Sequence, residues 1–255
     1  VTAQAVDITT EQSALGRSGD VHVGSGQSAQ QSSGEVQVMT GDGKLKGGDI
    51  AVRGGAGSEG GSVQLSSGVS STGSLGGRLD LAAESSVAVS AGNGATEGGD
   101  LVMTAGSAAS GGDVTVSVGD STDGVGSAVS VMAGRGAGTA AGGSVLFEAG
   151  STENDKAPAG DVSVSGGLAV TGTSTGGTVS VQGGTSAASI GGAVLLQSGS
   201  SLTGASGAIL MRTVESATDS GVISVSTGSS QKSASGDLQL TAGLSRDKTG
   251  GSIEF

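Results

Sequence analysis

Cysteine, tryptophan and tyrosine are absent from the 255 residues, and proline occurs once. Without cysteine there is no disulfide framework, no thiolate nucleophile and little means of building a zinc site. The only aromatic residues are Phe147 and Phe255. Bulky rings normally fill a thick core, so any core here is thin and made of Val, Leu, Ile and Ala. Basic residues are scarce, 11 against 23 acidic ones, for a net charge of −12. They are scattered, and only Lys44 and Lys46 lie close together, which excludes the clustered cations that nucleic-acid phosphates require. No apolar run approaches the ~18 residues of a membrane-spanning helix. His22 is the single histidine, so Ser/His/Asp chemistry would rest on that residue alone. Neither Asn93 nor Asn154 begins an N-x-[ST] sequon.

What the chain has is glycine, 53 residues of it, and a phrase that recurs about every 15 residues, roughly eighteen times. GGDVTV, GGSVQL, GGTVSV, GGAVLL and GGSIEF are versions of it. Each carries two apolar residues separated by one: Val6/Ile8, Val21/Val23, Val36/Val38 and Ile50/Val52 open the series, and Leu238/Leu240 and Ile253/Phe255 close it. Two residues after the pair comes a third same-side position, often small. Thr40, Ser67, Ala91, Ala105, Ala133, Ala149, Ser198, Thr227 and Ala242 are examples, each followed directly by glycine. Alternation with a period of two is the pattern of a strand with one buried face, and the β-branched bias agrees. The flanking glycines read as turns that need positive φ or close backbone approach. No helical period is present.

These observations predict an all-β chain, a single repeat domain over 1–255, folded as a parallel β-helix-like solenoid. Strands of about six residues would stack in register, joined by loops of about nine. A flattened coil of two strands per ~30 residues would set Val against Val across ~10 Å. The short link from Leu81 to Val87 would turn one corner between the two sheets, while a one-strand or a three-strand coil stays open.

Candidate chemistry is thin. Asp20, Asp49, Asp100, Asp113, Asp161 and Asp237 each directly precede the first apolar position. The calcium-binding β-roll pattern sets its Asp two residues before that position, so turn-capping by these side chains is the main reading and structural calcium the lesser one. The residue between each pair is Asp7, His22, Gln37, Ala51 and so on, with Thr115 the one threonine as far as Ser130, unlike the flat threonine row of an ice-binding face. Glu153 and Asp155 are the nearest approach to paired carboxylates, in a loop before Pro158 and without aromatic platforms. No catalytic residue, cofactor site or metal site is predicted, and the chain reads as a non-enzyme. Leu146, Leu195 and Leu210 are apolar on the outward side, where a lateral partner would cover them. Neither end looks capped. The chain begins at Val1 rather than Met, which suggests processing or a piece of a longer array, and Val6, Ile8, Ile253 and Phe255 are candidates for end-to-end contact.

The phrases GGSVQLSSG, GGDVTVSVGDS, GGAVLLQSGSS and GGSVLFEAGS resemble the long Gly/Ser/Val repeat proteins of marine algae, diatoms and other stramenopiles, over essentially the whole chain. The resemblance implies an extracellular or cell-surface structural β-solenoid, part of a cell covering, filament or appendage, without catalytic residues. The expected partner is another copy, as a homo-oligomer or filament, and no nucleic acid. The rival expectation is an adhesin or surface-binding module for ice, mineral or polysaccharide.

Overall fold

The computed structural model describes residues 5–71, 76–94, 97–153, 156–170, 172–246 and 248–255. Among these residues there is no helix and no strand. The expected all-β solenoid, with its two-sheet coil, is therefore incorrect. The solvent-accessible surface agrees. It is 25806 Å² for 23.6 kDa, where a folded monomer of that mass exposes about 9,800 Å² and its unfolded chain about 34,000 Å². No hydrophobic side chain is buried among the described residues.

Contacts divide the chain into two units, Val1–Val116 and Ser117–Phe255. Each is built from the same local device. A glycine that ends one phrase accepts a hydrogen bond from the amide of a glycine that opens the next. In the first unit these clasps join Gly48 N–H to the Gly41 carbonyl (3.2 Å), Gly61 to Gly55 (2.8 Å), Gly77 to Gly68 (2.8 Å), Gly99 to Gly92 (2.8 Å) and Gly112 to Gly106 (2.9 Å). In the second unit they join Gly143 to Gly134, Gly160 to Gly150, Gly177 to Gly167, Gly192 to Gly184, Gly207 to Gly199 and Gly251 to Gly243, all at 2.8–2.9 Å.

Each clasp is a single backbone bond. An antiparallel pair exchanges two bonds between opposed residues and repeats them along the ladder, and none of these pairs is reciprocated. This is the physical reason that the alternating segments are not strands. Alternation fixes the side of an extended chain on which each side chain falls. It does not set a second segment alongside at the 4.7–4.9 Å that a ladder needs. The link from Leu81 to Val87 is a bend at Glu84 and Ser85, not a corner between layers.

Glycine is required at the clasp chiefly for close approach. A Cβ built on Gly183 would stand 2.2 Å from the Gly192 carbonyl oxygen, and Gly54 and Gly166 meet Gly61 and Gly177 in the same way. In these three repeats the third same-side position is itself glycine. Elsewhere it is small for the same reason, since the Ala133 Cβ already lies 3.4 Å from where a Cβ on Gly143 would be. Left-handed backbone plays a minor part. Gly138 (φ 62°) sits in a turn closed by Ala140 N–H to the Ala137 carbonyl at 3.1 Å, and Gly172 has φ 77°.

Serine shapes many loops from within. The hydroxyl oxygens of Ser28, Ser186, Ser201, Ser230 and Ser245 each accept the amide N–H three residues on, at 2.8–3.1 Å. Each of these serines lies two residues after a loop-opening glycine and six before a glycine that ends the loop, a G-x-S-x5-G pattern. Ser13 makes the same bond to Gly16 at 3.0 Å. Serine thus takes the capping role assigned from the sequence to aspartate.

Gly183→Ala is expected to open the Gly184–Gly192 clasp, whereas Gly184→Ala, whose added Cβ meets nothing within 4 Å, leaves it closed. The readout is the NMR contact between Gly192 N–H and Gly184, lost in the first variant and kept in the second.

Candidate functional site

Among the described residues no cavity opens, and no three His, Cys, Asp or Glu side chains gather as a metal site. What each phrase offers is a short segment with two unlike sides. Side chains at i and i+2 meet on one side: the Gln37 amide donates to the Glu35 carboxylate, and Arg78 Nε donates to Asp80 Oδ1 at 2.5 Å. The apolar pairs lie on the other side. Exposure follows the alternation. Val145, Leu146 and Phe147 are 46, 79 and 72% exposed, and Ile209, Leu210 and Met211 are 48, 85 and 67%. From Val21/Val23 onward the first residue of each pair is the best covered, and even it stays about half open; Val6/Ile8 is the exception, with both residues largely exposed.

The sides differ in charge. The two apolar positions and the small third position carry no charged residue in any phrase. Acidic residues take the intervening positions instead: Asp20, Glu35, Asp49, Asp100, Asp113, Asp161 and Asp237 before the pair, and Asp7, Asp80, Glu148 and Glu254 within or just after it. Three of these carboxylates pair locally, Asp20 with Arg17 at 3.5 Å, Asp49 with Lys46 at 2.8 Å and Asp80 with Arg78 at 2.5 Å. All three pairs are exposed to solvent, where such contacts contribute little to stability. His22 shares this charged side.

Comparison with protein-family models, with curated proteins and with solved structures finds no match. The surface must therefore be read from its own chemistry.

Leu146, Leu195 and Leu210 occupy equivalent middle positions of separate phrases, on the acidic side, and all are largely exposed. Val6, Ile8 and Phe255 are fully or largely exposed, and Ile253 is about half open. Of the suggested carboxylate pair, Glu153 is an exposed residue, while Asp155 and the neighbouring Asn154 lie outside the described residues. The feature missed from the sequence is the uncharged face made by the pair and its third residue. Its signal is the absence of Asp, Glu, Lys and Arg from those three columns. No helix among the described residues is long and apolar enough to cross a membrane.

The recurrent aspartates stand at least one repeat apart, and a phrase presents at most one of them where calcium takes six to eight oxygens. Titration with calcium, followed by calorimetry, is expected to give no saturable heat; a stoichiometric transition would contradict this reading.

Proposed function

We propose that the chain is an extracellular or cell-surface structural repeat protein, a building block of a filament, appendage or cell covering, and not an enzyme. The observation that carries this reading is the apolar pair left open in every phrase. Soluble monomers rarely leave extended apolar surface uncovered, and here exposed apolar pairs recur along the chain, with no cavity among the described residues. A repeat of one surface suits a polymeric contact, in which each phrase adds an equal increment, better than recognition of one small ligand. Polar loops of Gly, Ser and Thr keep such a chain soluble until it meets its partner, and the net charge of −12 opposes indiscriminate collapse.

Electron microscopy of the native material, combined with labelling of the intact cell surface by an antibody against the chain, tests the reading. Continuous fibres or sheets that carry the label are expected. Discrete unassembled particles, or label confined to the cell interior, would overturn it.

A further inference from the structure

The geometry points to a second copy of this chain as the occupant of the uncharged face, the two copies laid apolar side to apolar side with their acidic sides outward. This rests on the structural reading above and names its partner.

Three observations carry it. The first is charge. A basic partner would be drawn to the side bearing Asp20, Glu35, Asp49, Asp100, Asp113 and Asp161, whereas the side bearing the pairs is free of charge in every phrase. An uncharged apolar face is matched by another of its kind, since desolvating a charge against it is unfavourable. Apposing these faces also keeps the carboxylates of two chains, each at −12, on opposite outer surfaces and in water.

The second is area. Full burial of a Val, Leu or Ile corresponds to roughly 60–120 Å² of apolar surface. Side chains about half open, such as Val179 and Ile209, therefore leave on the order of 100 Å² per pair to be covered. A stable interface takes about 800 Å² from each partner, so about eight phrases suffice and the chain has more than that.

The third is spacing. The pairs recur about every 15 residues, separated by loops rich in Gly, Ser, Ala and Thr whose apolar residues, such as Leu15, Leu45, Ile190 and Leu202, stand singly and at no fixed interval. A partner must present apolar groups at the same interval to meet them all. A second copy does so by construction, and a shift by one phrase still matches most of the pairs, the closely spaced Leu79/Leu81 and Val87/Val89 excepted. Staggered overlap, and hence growth beyond a dimer, follows from this equivalence.

Sedimentation of the full chain tests the pairing. Self-association is expected to strengthen as salt rises from about 0.01 to about 1 M, over which the Debye length falls from about 30 to about 3 Å and the repulsion between acidic sides is screened. Val179→Asp, Val181→Asp, Val194→Asp and Leu196→Asp, combined, should weaken association at least a hundredfold. The neutral set Val179→Thr, Val181→Thr and Val194→Thr should weaken it less but measurably. Leu195→Asp with Leu210→Asp, on the acidic side, should leave it within a few-fold. Persistence of the NMR contact between Gly184 and Gly192 verifies that each variant keeps its local fold. Association that weakens with salt, or that is lost in the Leu195/Leu210 variant and kept in the first, would overturn the proposal. A chain that stays monomeric although the native material is fibrous would overturn the pairing and leave the structural function standing. A chain that pairs in solution but is absent from the cell surface would do the reverse.

Discussion

A single backbone hydrogen bond between two glycines, one closing a phrase and one opening the next, organises what order the molecule has. It converts a loop of variable length into a closed ring. The distance in sequence differs, six residues between Gly55 and Gly61 and ten between Gly167 and Gly177, yet the bond is 2.8 Å in both. Insertions are thus absorbed in the ring without disturbing the segments on either side, as expected where loop closure depends only weakly on length. The bond demands that two backbones approach with nothing between them. That requirement propagates outward to the residue before the first glycine, which is Ala, Ser or Thr where space is short and Gly where there is none, as at Gly54, Gly166 and Gly183.

A clasp of this kind costs little and holds little. One such bond contributes about 0.5–1.5 kcal/mol net, and the serine hydroxyls within the loops add local order without burying anything. Neither device covers the apolar pairs. The result is a chain whose turns are satisfied internally and whose apolar side is not. Such a chain keeps its local form while leaving its largest source of favourable free energy, the burial of those side chains, to be realised against something else. The segregation of carboxylates onto the opposite side of each phrase determines what that something can be.

The local half of this organisation is legible in the sequence. The period of two is written in Val145-Leu146-Phe147 and Ile209-Leu210-Met211, and the exposures follow it. The small residue and glycine after most pairs are visible as a repeated couple, and most of these glycines, Gly41, Gly134 and Gly199 among them, are clasp acceptors. What misleads is the step from alternation to pairing. Val36 and Val38 read as a strand face because β-branched alternation usually reports one, but nothing in a single phrase says whether a neighbour stands alongside at ladder distance. The assignment of turn capping to Asp49 and Asp100 fails for a related reason. Both aspartates sit next to a glycine and so attract the capping role, whereas the serine two places after the opening glycine is one among many serines. It stands out only once Ser186, Ser201 and Ser245 are aligned on their rings. The candidate lateral residues Leu146, Leu195 and Leu210 belong to the exceptional phrases. The uncharged face is defined by what every phrase omits, and an omission is harder to see than a leucine.

Amide hydrogen exchange resolved along the chain, on dilute unassembled protein, tests the central claim most directly. Protection is predicted to be confined to the clasp donors, Gly48, Gly61, Gly99, Gly143, Gly177 and Gly192 among them, and to the loop amides held by serine hydroxyls or turns, such as Ser189, Gly204 and Ala140, with the amides of Val129, Val131, Val179 and Val181 exchanging nearly as fast as in an open chain. Protection of alternate or successive amides through those apolar segments would show a continuous ladder between them, and would contradict an architecture held by isolated glycine clasps.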